Sequence, residues 1–345
     1  MGMVIDGRWS AEDRSIEAGA FVRRASVHDG AIGPEIVDAI AAAPGRFHLI
    51  ASLSCPWSHR TMLARALKGL ADAVPLQIAG GRRIEGYPVN GGAPWRVPGA
   101  TVDIVHLHEL YTLSDPDYTG GATVPVLWDS EAQTIVSNES ARIMRALDAV
   151  RPLRTELDFT LVPGDLRSSV ERLNAHFHER LSNAVYRAGL AQRQNAYESA
   201  VADVFETLDG LDGRLGNRRF LFGSMLSETD LRLFPTLVRF DAVYHTHFRC
   251  TRRRLVDYPT LWAYARDLFA LPGVAATVDF DVIREGYYRN DGVHNPFGIV
   301  GVQPDADWTA PHDRDALGPI EIALRDGGRR VMTGGSATIP TQAAR

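Results

Sequence analysis

Apolar positions divide the chain into two regimes. Between Phe47 and Val150 the pattern alternates between short apolar runs and helical stripes. "RFHLIAS" reads as a strand, and Met62, Leu63, Ala66, Leu67 and Leu70 form a helical stripe directly after it. "VPLQIAG" (74–80) offers a second strand, and residues 80–105, rich in Gly and Pro, read as a long loop. "HLHELYTL" reads as a helix, "TVPVLWD" and "TIVSN" as strands, and Ile143, Met144, Leu147 and Val150 mark one face of a helix starting near Asn138. The order βαβ…αββα predicts a small α/β unit of about a hundred residues.

After Pro152 the period is helical throughout. Leu166, Val170, Leu173, Phe177, Leu181 and Val185 recur at three- and four-residue intervals, as do Tyr197, Val201, Phe205, Leu208 and Leu211. Leu231, Phe234, Leu237 and Val238 continue the pattern, then Leu261, Ala265 and Leu268. "SETD" (227–230) has the form of a capping box, and Pro235 is expected to kink the helix that follows. The boundaries expected are an N-terminal extension (1–45), an α/β domain (46–150), an all-helical domain (166–285) and a C-terminal extension (286–345). The end of that last segment, "TGGSATIPTQAAR", is expected to be disordered.

Composition narrows the function classes. The chain has 345 residues, 45% hydrophobic and 23% charged, with a formal net charge of -5, so neither acidity nor a basic run points to nucleic acid. No apolar stretch approaches the length of a membrane span, and "MGMVIDGRWS" lacks a signal-peptide core. Two cysteines, Cys55 and Cys250, cannot make a disulfide framework. A cytoplasmic protein with no nucleic-acid or membrane partner is expected.

Candidate chemistry starts at "SLSCPWSHRT" (52–61). Cys55 stands between a strand and a helix whose first turn holds Pro56. There a thiol faces the partial positive charge of a helix N-terminus, which favours thiolate. Cys-Pro-X-X after a strand is the redox turn of thioredoxin-like folds, but the fourth residue is Ser58. This is therefore a one-thiol site, releasing a mixed disulfide only to an external thiol; the bland alternative is an inert buried cysteine. In "GATVPVLWD", Val124-Pro125 is a candidate cis bond that would free the Val124 backbone to pair with a peptide-like thiol. In "SNES", Ser140 could hold a carboxylate and Glu139 an ammonium, the two charges of an α-amino acid head group. Alone, each of these also reads as an edge-strand proline or an N-cap.

Together these stretches resemble the glutathione transferase superfamily, and more narrowly its Xi class, the glutathionyl-hydroquinone reductases. "YTGGATVPVLWD", "TIVSNESARI", "NAVYRAGLA", "FLFGSMLSETDLRLFPTLVRFDAVYHTHFRC", "DYPTLWAYARDLF" and "YYRNDGVHNPFGIV" carry the resemblance with the cysteine turn, over most of residues 46–300. It implies a thioredoxin-like N-terminal domain followed by an all-α domain, and glutathione as the thiol. It implies reductive removal of glutathione from glutathionyl-hydroquinones, with Cys55, Tyr186 and Tyr287 catalytic. Trp95, Val124, Pro125, Glu139 and Ser140 would bind the thiol, and Tyr288 and Trp57 the quinol. A homodimer is implied as well. Other functions open to a one-cysteine turn are general thioltransferase or dehydroascorbate-type reduction, and a transferase-like fold kept only for binding.

Two departures stand out. Ser58 replaces the family's alanine, and Gly121 stands where its members carry Arg or Lys for the thiol's carboxylate. Either Arg82, Arg83 or Arg96 substitutes, or the thiol is another low-molecular-weight one. The pairs His106/His108, His176/His178 and His245/His247 join no cysteine or carboxylate cluster at zinc spacing, so no metal is expected. Cys250, in "HFRCTRRRL", has arginines that could lower its pKa, but it reads as a packed residue.

Overall fold

Phe47–Ala51 forms β1 because four of its five residues are apolar enough to be covered on both faces. The structure, a computed structural model, describes residues 2–151 and 158–332. It divides into two compact units, one of residues 1–17, 22–153 and 277–302 and one of residues 18–21, 154–276 and 303–345.

In the first unit β1 leads into α1 (Pro56–Leu67), β2 (Leu76–Ile78), α2 (Leu107–Ser114), β3 (Val126–Asp129), β4 (Thr134–Ser137) and α3 (Ser140–Ala149). The sheet order is β4-β3-β1-β2, with β1 and β2 parallel and the other pairs antiparallel. This mixed sheet corresponds to the thioredoxin-like arrangement expected. Helix α1 stops at Leu67 because Gly69 adopts φ +65°, a left-handed C-terminal cap that glycine takes without steric penalty. Helices α1 and α3 pack together, and their contact holds a buried ion pair, Lys68 Nζ to Asp148 Oδ1 at 3.5 Å. At the far end of the sheet Arg46 grips Asp129 with two hydrogen bonds of 2.8 and 2.6 Å.

Residues 1–45 contribute more than an appendage. The hairpin Met3–Ile5/Arg8–Ser10 exchanges backbone hydrogen bonds with Gly120 through Val4 (2.8 and 3.0 Å), and His28 O accepts from Asn138 N and Ser137 Oγ. These two segments thus brace the approaches to Val124 and Glu139. Their strands are two or three residues long, too short to show a period. Likewise α9 (Phe280–Tyr288) joins this first unit, so the expected boundary at 285/286 cuts through a helix. The helix runs through that position unbroken; tertiary packing, not local sequence, marks the boundary.

The second unit holds α4 (Arg167–Phe177), α5 (Ala184–Gly189), α6 (Gln194–Leu215), α7 (Glu228–Arg239) and α8 (Pro259–Phe269). It is not purely helical: Phe159–Thr160, Ile320–Leu324 and Arg329–Met332 form a three-stranded antiparallel sheet. Residues 333–345, expected to be disordered, lie outside the described residues. The capping box at the start of α7 is present, with Ser227 N and Oγ donating to Asp230 at 2.9 and 2.6 Å. Asp230, fully buried, also accepts from Leu221 N (3.0 Å) and Tyr264 OH (2.7 Å), and burial raises its pKa. Asp230→Ala would leave these donors buried without an acceptor. At roughly 1–3 kcal/mol for each orphaned group, the expected loss is about 3 kcal/mol or more, read as a fall in the calorimetric midpoint. Pro235 lies inside α7, where it removes the hydrogen bond to Leu231, and the chain continues past Arg239 into a π-turn at Phe240–Tyr244.

Candidate active site

Register builds the site. Ile50 of β1 pairs with Val126 of β3, so the end of β1 and the start of β3 lie side by side, bringing the turn after β1 to the residues before β3. Cys55 is the N-cap of α1, with extended backbone (φ -85°, ψ 122°), and Pro56 fills the first helical turn. Its carbonyl accepts the first helical bond from His59 N at 3.0 Å, and its Sγ–H points to Val124 O at 3.6 Å. The Val124-Pro125 bond is cis, as the sequence suggested. Ser58, one turn along α1, is fully buried, and its hydroxyl has no hydrogen-bond partner among the described residues.

The backbone before Val124 is tied down by a residue the sequence reading missed. Tyr111 OH donates to Thr123 O at 2.7 Å and accepts from Thr123 N (3.3 Å) and Asn138 Nδ2 (2.9 Å). One buried hydroxyl therefore links the Val124 loop to the residue preceding Glu139, and burial pushes its pKa up to about 12. Only its apolar helical position was visible locally; these partners lie 12 and 27 residues away. Glu139 caps α3, its Oε1 accepting from Ala141 N at 3.0 Å and Ser140 Oγ at 3.4 Å. Its Oε2 takes no hydrogen bond from the described residues.

Trp95 begins a two-residue strand paired with Asp103–Ile104, and Trp57 and Trp95, both half-buried, pack on the cluster that includes Cys55 and Val124. The guanidinium carbons of Arg23 and Arg60 stand 4.7 and 4.4 Å from the Trp57 ring centroid. Of the three arginines named as substitutes for a cation at 121, the structure brings Arg83 to the thiol turn. Its Nη2 donates to Ser54 Oγ at 3.2 Å, its backbone N–H to Asn290 Oδ1 at 2.7 Å, and its guanidinium stacks over Tyr87 at 4.0 Å. Arg96 is exposed and paired with Asp103 at 2.6 Å, and Arg82 is exposed with no partner among the described residues.

Helix α9 approaches the same turn. Gly286 lies so close to Ser54 that any side chain there would collide with it, which sets Tyr287 on a helix abutting the residue before Cys55. Tyr287 is half-buried. Tyr288 is only 7% exposed; a side chain at Gly301 would meet its hydroxyl at 2.9 Å, so that end is covered. Tyr186 belongs to the second unit, half-buried on α5 among Phe21, Tyr244 and Phe248. Cys250, also there, is fully buried. Burial pushes its thiol up to about 12, outweighing Arg249 beside it, so the neighbouring arginines do not activate it.

The family model of the glutathione S-transferase N-terminal domain matches residues 54–150, and that of the C-terminal domain residues 194–267. Glutathionyl-hydroquinone reductase YqjG of Escherichia coli is 41% identical over 91% of this chain and 99% of its own length. The chain belongs to the glutathionyl-hydroquinone reductases. Another reductase of that name, PcpF of Sphingobium chlorophenolicum, is 39% identical over 88% of this chain and 96% of its own. Among solved structures, the Xi-class transferase from Natrialba magadii superposes with a TM-score of 0.79 at 39% identity, covering 92% of this chain and 97% of that one. Glutathione-bound YqjG superposes equally well. The family thus accounts for both units, and none of the described helices is long and apolar enough to cross a membrane.

Proposed function

We propose that this chain is a thiol-dependent reductase that removes glutathione from glutathionyl-hydroquinones through a mixed disulfide on Cys55. The observation that carries the reading is a lone thiol at the N-cap of α1, directed at the Val124 carbonyl, in a turn with serine where a resolving cysteine would stand. The Cys55 sulfur attacks the thioether sulfur while the ring passes through its keto tautomer. The carbon–sulfur bond breaks, a proton is delivered to the ring carbon, and free hydroquinone leaves. Cys55 then holds glutathione as a disulfide. A second glutathione attacks that bond, giving oxidised glutathione and restoring the thiolate.

The Val124 backbone, Pro125, Glu139 and Ser140 hold the glutathione, with Trp95 against it and Trp57 toward the quinol. Tyr287 and Tyr186 are the groups assigned to the ring oxygens, where proton movement assists the tautomer. The covered hydroxyl of Tyr288 supports a packing contribution for that residue. Two free cysteines suit a reducing, cytoplasmic compartment, and a homodimer completes the reading. The test is turnover of a glutathionyl-naphthohydroquinone with excess glutathione. The reading expects one hydroquinone and one oxidised glutathione per cycle; hydroquinone release without glutathione consumption would reject it.

Arg83 is the cation we assign to the thiol's carboxylate side in place of a residue at 121. Gly121 is exposed, and an added Cβ there meets only Thr123 Cγ2 at 3.5 Å, an ordinary contact. Arg83→Ala should therefore raise KM for glutathione by about tenfold, and Gly121→Arg in that background should recover about three- to tenfold, with kcat little changed. A KM indifferent to Arg83 would remove it from the thiol site.

A further inference from the structure

The loop after β2 and the start of α2 converge on a cluster that the thiol chemistry does not use. Val89 N donates to Val105 O and Leu107 N to Tyr87 O, both at 2.8 Å, so the two segments run antiparallel. Glu85, in the bend just before Tyr87, thereby comes up to His106 and His108. His108 Nε2 stands 3.7 Å from Glu85 Oε2, beyond hydrogen-bond range, and one ligand atom from each of the three residues lies within 4.8 Å of the others. The two imidazoles stack at 5.6 Å with 10° between their planes, and Trp9 stacks on His108 at 5.0 Å. His108 Nε2 is buried with no hydrogen-bond partner among the described residues. Glu109, whose Oε1 accepts from Val105 N and His106 N, stands 3.8 Å from His106 Nδ1 and can orient that ring.

We propose that Glu85, His106 and His108 bind a divalent transition-metal ion of the zinc type, with water in the remaining coordination positions. Two imidazoles and one carboxylate are the donor set such ions take, whereas magnesium and calcium select oxygen-only cages. Bonds of about 2.0–2.1 Å in tetrahedral geometry set donors about 3.4 Å apart, so the cluster must draw in from its present spacing. Glu85 can do this, because its side chain is half exposed on the loop. Histidine spacing alone gave no such site; the carboxylate arrives from 21 residues upstream by backbone pairing. Bound metal would tether to α2 the loop that carries Arg83 and Trp95. The inference is independent of the reductase reading.

The test is Co2+ titration of the full chain carrying Cys55→Ser, which removes the competing thiol, followed by displacement with Zn2+. One Co2+ per chain is expected, with the visible absorption of a four- or five-coordinate site. Affinity should fall at least about tenfold in Glu85→Gln and in His106→Gln. Zn2+ should raise the thermal midpoint of the parent but not of Glu85→Gln, whose metal-free midpoint should match the parent because this exposed side chain packs on little else. Absence of binding at micromolar metal, or affinity unchanged in both variants, would overturn the proposal; the latter would place the metal elsewhere, such as at His176/His178 or His245/His247.

Discussion

Cys55→Ala should lower hydroquinone release by about a thousandfold or more, because covalent capture of glutathione has no other sulfur to run through. Cys250, the second cysteine, is fully buried with its thiol pushed up to about 12, so it cannot supply a thiolate in its place. Serine at position 55 should be equally inactive, since an alkoxide cannot form the mixed disulfide that the second step consumes. Glutathione binding should survive either change, because the Val124 backbone and Glu139 are held by Tyr111, Thr123, Asn138 and Ala141 rather than by the thiol. The measurement is a chromatographic assay of free hydroquinone with glutathione affinity determined in parallel. Loss of binding together with turnover would mean that the substitution disturbed the turn, and substantial residual turnover would mean a different nucleophile.

Tyr287→Phe should lower kcat for hydroquinone release by about 10²–10⁴-fold while leaving Cys55-dependent reduction of a small mixed disulfide nearly unchanged. The asymmetry follows from the chemistry. Breaking an aryl carbon–sulfur bond needs proton movement at the ring, whereas disulfide exchange needs only a thiolate and an accessible sulfur. Tyr186→Phe should behave in the same direction. Tyr288→Phe should do much less, because its hydroxyl end is covered at Gly301. Assaying both reactions for each variant separates a quinol-specific reductase from a general thioltransferase. If the tyrosine variants lost neither activity, the general thioltransferase reading would replace the one proposed.

What the sequence disclosed and what it withheld divide by range. The turn around Cys55 was legible because its strand, proline and helix are contiguous, and the capping box before α7 because its partners are three residues apart. Tyr111 was not, since its role lies in hydrogen bonds to Thr123 and Asn138 that only the folded sheet brings together. The N-terminal hairpin was hidden for the same reason: Val4 pairs with Gly120, and strands of three residues leave no hydrophobic period. Glu85 beside His108 is another meeting of this kind. Cys250 was legible as a packed residue despite its neighbouring arginines, and burial does outweigh the adjacent one. Arg83 and Arg96 read alike in the sequence; only the fold places Arg83 against Ser54 and pairs Arg96 with Asp103.

The central claim is that Cys55 takes glutathione from the conjugate as a disulfide. It is tested most directly by a single turnover without added glutathione, following protein mass and free hydroquinone together. The account predicts one glutathionyl adduct on Cys55 for each hydroquinone released, removed by later addition of glutathione. Hydroquinone released with no adduct on Cys55, or no release from a protein whose Cys55 still reacts with a small disulfide, would contradict it.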